Sequence, residues 1–286
     1  MTKDFLTVGI GEVLWDLLPN GRQFGGSPVN VIYHCQAAGI PSTIVSAIGK
    51  DSDGEDILTE LDNKNISKEY IQISEENPTG KVTVELNEGI PNFIIHPDVA
   101  WDKIRWNQQL EKLAKRADAV AFGSLPQRDF VSRNTMQTFI GKMKRKSLRV
   151  FDINLRQHFH SAATIKDSLS LCNILKINDE ELPVLAMYLK MDGPAEVIIE
   201  RIIHDYKLEL LAYTKGANGS SIFTSDDRWD MKSPKVNIKD TVGAGDAFTG
   251  ALIAGLLMQK EISEIHTEAT KIAAWVCESN GAMPKY

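Results

Sequence analysis

Cysteine is scarce in this chain, with 3 in 286 residues. Cys35, Cys172 and Cys277 lie far apart and form no CxxC pair, which excludes a disulfide framework and a thiolate zinc site. They read as small buried hydrophobes in a reducing compartment. The histidines, His158 and His160 among them, form no HExxH string and no Cys/His set for zinc. No apolar run approaches the length needed to cross a bilayer. The opening MTKDFLTVGIGEVLWDLL is broken by Asp4 and Glu12, so it is not a signal peptide and a cytoplasmic protein is expected. The strings Asn65-Ile66-Ser67 and Asn218-Gly219-Ser220 then carry no glycosylation meaning. Basic residues are outnumbered, 32 against 38 acids for a net charge of −6, so no overall attraction to nucleic acid or acidic membranes is expected.

Several nucleotide signatures are missing as well. Gly80-Lys81 is followed by Val82, with Glu75 where a P-loop needs its first glycine. The HRD and DFG strings of protein kinases do not occur. Gly9 and Gly11 suggest a dinucleotide fingerprint, but Leu14 stands in the third glycine's place, which disfavours a nicotinamide-dependent dehydrogenase. There is no internal repeat, low-complexity segment or linker, so residues 1–286 are expected to form one domain.

What is present is ordinary globular composition, 43% hydrophobic and 24% charged, in an alternating pattern. FLTVGIG, STIVSAIG, DAVAFGSL, RVFDINL, ILKIN and LELLAYT read as buried strands. DGEDILTELDNKNI, WNQQLEKLAKRA, DFVSRNTMQTFIGKMKRK, AATIKDSLSLC, DEELPVLAMYLK and EIHTEATKIAAWVCESN read as helices between and after them. Strand–helix alternation at this spacing predicts a mainly parallel sheet with helices on both faces, and ligands at the carboxyl ends of its strands. YIQIS leads into KVTVELNEGIPNFIIHP, where Val82, Val84 and Leu86 alternate with polar neighbours before a turn at residues 87–89. That is a half-exposed hairpin, unlike the buried strands.

The chemistry concentrates in Asp240–Gly250, DTVGAGDAFTG. The following FTGALIAGLLM is apolar at helical spacing, so Gly243, Ala244 and Gly245 fall at a helix N-terminus whose amides and dipole attract negative charge. Asp246 lies in the first helical turn. An anion cradle beside a carboxylate suits phosphoryl transfer, the amides stabilising the moving group and the carboxylate taking a proton from the attacking hydroxyl. A second helix start lies in GGSPVNVIYHCQAAG: Ser27 is expected as N-cap, Pro28 as first residue and Gly39 as the stop, with Gly25-Gly26 bringing bare backbone up to Asn30.

These strings resemble the two signatures of the ribokinase-like carbohydrate kinases, the phosphofructokinase-B family. Asp240, Thr241, Gly243, Ala244, Gly245, Asp246 and the small pair Gly250-Ala251 fit one. The glycines, Asn30, Gly39 and Gly49 fit the other, with Ile32 replacing a usual small residue. The resemblance runs from about residue 8 to 282. It implies a three-layer α/β/α sandwich with a small β-sheet lid near residues 12–24 and 79–100. It implies a sugar held by Asp16, Gly25, Gly26 and Asn30, helped by Arg156 of the DxNxR-like Asp152–Arg156. It further implies that Asn178 and Glu181, an NxxE pair, organise Mg²⁺ through water, and that Thr214, Gly216 and Gly219 receive nucleotide phosphates. Gly281-Ala282 resembles the border of the adenine pocket, and a potassium ion is implied near Asp240 and Val242. ATP and a small sugar are the expected ligands, no nucleic acid or membrane partner is expected, and a homodimer is left open. GEVLWDLLP and the NVIYH run look most like fructokinases. No basic cluster for a phosphosugar accompanies the substrate motifs, which favours free fructose over ribose, ketodeoxygluconate, tagatose phosphate or a nucleoside. A non-catalytic sugar sensor on the same scaffold is the reading least consistent with an intact Asp246.

Overall fold

The computed structural model describes residues 5–18, 21–87 and 90–286. In chain order, β1 (Thr7–Ile10) is followed by β2 (Leu14–Leu18), β3 (Gly21–Gly25), α1 (Ser27–Ala37), β4 (Ser42–Gly49), α2 (Ser52–Asn63) and β5 (Ile71–Ser74). The hairpin β6 (Gly80–Asn87) and β7 (Ile90–Ile95) comes next. Then follow α3 (Gln108–Arg116), β8 (Ala119–Phe122), α4 (Phe130–Lys142), β9 (Leu148–Asp152), α5 (Ala162–Leu171), β10 (Ile174–Asn178), α6 (Glu181–Leu189) and α7 (Ala195–Tyr206). The chain closes with β11 (Leu210–Thr214), β12 (Ser220–Phe223), β13 (Arg228–Met231), α8 (Ala244–Leu257) and α9 (Ile262–Cys277).

Nine strands form one sheet in the order β13-β12-β11-β10-β9-β8-β1-β4-β5. It is parallel from β5 to β11, and at the other edge β12 alone is reversed, pairing antiparallel with both β11 and β13. Because these strands are buried on both faces, apolar side chains point both ways. Val8, Ile10, Val120, Phe122, Phe151, Leu175 and Leu211 pack on α3 to α7. Ala119, Ala121, Val150, Ile174 and Ala212 face α1, α8 and α9 on the other side. Ile44 and Ile48 meet Ile57 and Leu61 of α2. Every parallel strand therefore ends at the same edge of the sheet.

The remaining four strands make a separate small sheet, β3-β2-β6-β7, standing where the lid is expected. Leu14, Val82 and Ile95 seat it on Val99, Trp101 and Leu125. The hairpin turn expected at residues 87–89 and the turn at 19–21 fall partly outside the described residues, at 88–89 and 19–20.

Four local expectations need correcting. The N-cap of α1 is Gly26, not Ser27, and no side chain caps it; the Ser27 hydroxyl is drawn away to Asp246. Helix α4 stops at Lys142 because Met143 turns to extended geometry, and Ser147 N–H bonds to Lys144 O in the turn that feeds β9. Cys35 and Cys172 are buried as expected, but Cys277 is only half-buried. Helix α7 and strands β12 and β13 went unread, although Ile198, Ile199, Ile202 and Ile203 keep helical spacing in α7.

Candidate active site

Two helix N-termini meet at the edge where the parallel strands end. Helices α1 and α8 approach so closely that a Cβ on Gly250 would lie 2.7 Å from both Val31 O and His34 Cβ. The Cys35 thiol reaches Gly250 O at 3.3 Å across this contact. The close approach carries Ser27 and Asn30, at the start of α1, onto Asp246, in the first turn of α8. Ser27 Oγ donates to Asp246 Oδ1 at 2.6 Å and Asn30 Nδ2 donates to Oδ2 at 2.8 Å. Each carboxylate oxygen is thus fixed by one donor and keeps a lone pair.

Gly243 is the N-cap of α8, with φ of 79°, in the left-handed region that glycine adopts without strain. A Cβ here would sit 2.3 Å from Ala282 Cβ, so Gly281-Ala282 backs directly onto the turn that opens α8. The Ala244 amide bonds to Thr241 O at 3.3 Å, while the next amides of α8 have no carbonyl one turn back within the helix and are open to an anion.

A buried charge network lies beneath this turn. Lys176, in the middle of β10, is buried, and its Nζ bonds to Asp152 Oδ1 at 3.1 Å. Thr249 Oγ1 donates to Asp152 Oδ2 at 2.9 Å. A Cβ on Gly245 would meet the same Nζ at 3.0 Å, which places an ammonium under the Gly-Ala-Gly turn. Burial raises the Asp246 pKa above the usual carboxylate range and the Asp152 charge adds to the rise; Ser27, Asn30 and Lys176 pull it back. Glu12 is buried too, and burial pushes its pKa up to about 7 against the lowering effect of its own and the Ser27 backbone amides. Its Oε1 accepts from Ser27 N–H at 3.1 Å, while Oε2, like Oδ1 of Asn30, is buried without a partner.

The residues expected on the sugar side gather beside this pair. Asp16 on β2 reaches toward β3, and a Cβ on Gly25 would lie 3.0 Å from its Oδ2. Burial pushes the Asp16 pKa up to about 6, and the Arg156 charge works against the rise. Arg156 itself is exposed, and its Nη1 donates to Leu155 O at 3.0 Å. It influences Asp16 and Glu12 through charge rather than contact. Gly26 follows β3 and heads α1, adjoining Glu12 O.

The residues expected on the nucleotide side line the ends of β10 and β11, where Asn178 and Thr214 are register partners. Asn178 and Glu181 bond reciprocally in the turn before α6. Asn178 Oδ1 accepts from Glu181 N–H at 2.8 Å, and Glu181 Oε2 from Asn178 N–H at 2.9 Å. Glu181 Oε1 also accepts from Leu155 N–H at 3.0 Å. Burial and the Asp152 charge raise the Glu181 pKa, while Lys176 lowers it. Gly216 is exposed in the turn after β11, and Gly219 lies flat against Met231 O. The amides of Lys215, Asn218 and Gly219 are already bonded within that turn or to it. Asp240 binds Val242 N–H with Oδ1 at 2.9 Å and Gly281 N–H with Oδ2 at 3.2 Å, tying the two loops together. Val242 is itself exposed.

Three neighbours of Asp246 were not singled out from the sequence: Ser27 as a partner of the carboxylate, Glu12 and Lys176. Lys176 had a signal, since a lysine inside the apolar strand ILKIN must be buried with a partner. Ser27 had none, because a serine before Pro28 reads as a cap.

Residues 20–285 match the family described as pfkB family carbohydrate kinase. The uncharacterized sugar kinase PH1459 of Pyrococcus horikoshii is 31% identical, over 97% of this chain and 91% of that protein. Its structure in complex with ATP superposes with a TM-score of 0.83 at 29% identity, covering 98% and 94% of the two chains. A fructokinase of Rhizobium leguminosarum bv. trifolii is 24% identical over 89% of this chain and 80% of its own. A fructokinase double mutant of Vibrio cholerae O395, solved with fructose, ADP and potassium, shares the fold with a TM-score of 0.83 at 22% identity, covering 98% and 94%. The nine-stranded sheet, the small second sheet and the family match agree, and the chain belongs to the pfkB family of carbohydrate kinases, as a sugar kinase of ribokinase-like fold.

Proposed function

We propose that this sugar kinase transfers the γ-phosphoryl group of ATP to a primary hydroxyl of free fructose. The observation that carries the reading is Asp246, held by Ser27 and Asn30 in the turn that follows Gly243-Ala244-Gly245. Asp246 takes the proton of the sugar hydroxyl, the oxygen attacks the γ-phosphorus, and ADP leaves. The amides of Gly243, Ala244 and Gly245 stabilise the transferring group, and the Lys176 ammonium lies beneath them. Asp16, Gly25, Gly26 and Asn30 hold the sugar. The partnerless buried oxygens of Asn30 and Glu12 suit a ligand rich in hydroxyl donors. Arg156 contributes positive charge felt by Glu12 and Asp16.

Thr214, Gly216 and Gly219 receive the ATP phosphates, and Gly281-Ala282 borders the adenine. Asn178 and Glu181 would hold magnesium through water. Their oxygens already accept backbone amides, and no group of three or more His, Cys, Asp and Glu able to hold a metal occurs among the described residues. That suits an ion arriving with phosphates and its own waters, which it would supply to neutralise phosphate charge. The loop closed by Asp240 and Val242 would hold a potassium ion. The fold is one catalytic domain on which the four-stranded sheet acts as a lid that excludes water.

Fructose is supported by the fructokinases among the relatives and by GEVLWDLLP and NVIYH. A coupled ADP-release assay over a panel of sugars, nucleosides and sugar phosphates tests it. The expected result is the highest kcat/KM for fructose, since a site paired to one set of hydroxyls rejects analogues that leave its buried polar groups unpaired. Another substrate leading the panel would overturn fructose and leave the sugar kinase.

A further inference from the structure

His34 is buried in α1, one turn after Asn30, and both ring nitrogens are engaged. Nε2 lies 2.9 Å from Ala282 O and Nδ1 lies 2.7 Å from Tyr286 Oη. A carbonyl only accepts, so Nε2 carries the proton. In a neutral ring Nδ1 must then accept from the tyrosine hydroxyl. Burial supports the neutral ring, lowering the His34 pKa to about 4. The side chain stands at a junction of three segments. Its Cβ lies against the Gly250 backbone of α8. Its Nε2 holds Ala282, which backs onto Gly243. Its other nitrogen holds Tyr286, which also packs on Trp275 with ring centroids 4.7 Å apart. Asp240 holds the neighbouring Gly281 amide at 3.2 Å.

We propose that His34 is a positioning residue for the phosphoryl-receiving turn, fixing Gly281-Ala282 against Gly243 through its bond to the Ala282 carbonyl. The helix that carries Asn30 and the loop that shapes the anion cradle are thereby held in one register. The proposal rests on the cradle reading of Gly243 to Gly245. It does not depend on which sugar is used.

Two substitutions divide the clamp. The amide nitrogen of His34→Gln falls near Nε2 and keeps the donor to Ala282 O; the shorter amide of His34→Asn falls near Nδ1 and keeps only the Tyr286 end. Kinetics on the sugar that leads the panel should show kcat within about threefold of wild type for His34→Gln. For His34→Asn kcat should fall about 10- to 100-fold, the scale of a sub-ångström to 1 Å misplacement at a reacting centre. Sugar KM should stay unchanged in both, with similar losses in Tm. Calorimetry with Mg²⁺ supplies a readout free of turnover: His34→Asn should lose the preference for AMP-PNP over ADP that wild type and His34→Gln retain. Equal kcat and equal nucleotide preference in the two variants would overturn the proposal, whether both match wild type or both fall with Tm. A wild type without turnover on any sugar would sink the substrate reading, and the nucleotide preference would still decide this one. Should either variant fail to fold, Tyr286→Phe, which keeps the Ala282 bond, should retain kcat. Ala282→Gly, which loosens the contact with Gly243, should lower it; the reverse order overturns the proposal.

Discussion

At the scale of residues, the site sets two buried carboxyls, Glu12 and Asp246, on either side of Ser27. They differ in their partners. Asp246 has two side-chain donors and Lys176 nearby, whereas Glu12 has only backbone amides and a partnerless oxygen. Glu12 therefore holds its proton up to about pH 7 in the fold but releases it near the ordinary carboxylate value when unfolded. Its stabilising contribution is fully present below about pH 4.5 and is lost as pH rises to about 7. A buried shift of this size corresponds to roughly 3 kcal/mol. Glu12→Gln keeps the acceptor for Ser27 and cannot ionise, so its Tm relative to wild type should improve from about pH 4.5 to about 7 and level off above that. A difference that stays constant with pH would remove Glu12 from this account. For Asp246→Asn, the Ser27 bond survives and a flip of the Asn30 amide would satisfy the new NH₂ with its idle Oδ1. The fold should hold while kcat drops about 10²- to 10⁴-fold, the range of a lost general base. Retention of more than about a tenth of wild-type kcat would reassign the base.

At the scale of elements, the decisive contact is α1 against α8, since it brings Ser27 and Asn30 to Asp246 across 219 and 216 residues of chain. Gly250 permits it. Gly250→Val would force Val31 O and His34 Cβ away, a strain of about 1–3 kcal/mol, and should lower kcat beyond what the fall in Tm explains. Thermal melts and kinetics measured together check this, and a normal kcat with a lowered Tm would mean that the helices separate without disturbing the carboxylate. The same contact shows what sequence can carry. The parallel sheet, the turn before α8 and the glycine stop after α1 were legible because local patterns determine them: continuous apolar runs, small residues before a helix, a glycine at C′. The partners of Asp246 were not, because they depend on how α1 and α8 cross. The NxxE pair shows the converse. Asn178 and Glu181 were read as a magnesium motif, and the fold adds that each side chain accepts the other's backbone amide in the turn leading into α6, which this spacing alone can produce. Helix α7 went unread despite good periodicity because no polar exception marked it.

At the scale of the whole molecule, the question is what holds the four-stranded sheet over the nine-stranded one. Much of the polar attachment converges on Asp53, in the first turn of α2. Its carbonyl accepts from Trp15 Nε1 of β2 at 3.0 Å. Its carboxylate accepts from Arg22 of β3 at 2.8 Å and pairs with Lys81 of β6 at 2.5 Å. Arg22 also lies over the Trp15 ring at 4.3 Å and pairs with Asp56. Arg22 and Lys81 are each more than a third exposed, so such pairs contribute only about 0–1 kcal/mol apiece. That is strong enough to favour one placement of the sheet and weak enough to be released. If the sheet is a lid that presents Asp16 to the sugar, loosening Asp53 should affect the sugar and spare the nucleotide. Asp53→Asn is expected to raise sugar KM by about fivefold, the equivalent of about 1 kcal/mol, with ATP KM unchanged and Tm nearly so. Wild type should approach the variant at about 1 M salt, where charges are screened beyond about 3 Å. A parallel rise in both KM values, or a salt response that the variant shares in full, would mean that Asp53 supports the fold at large and that the sheet is fixed by Leu14, Val82 and Ile95 alone.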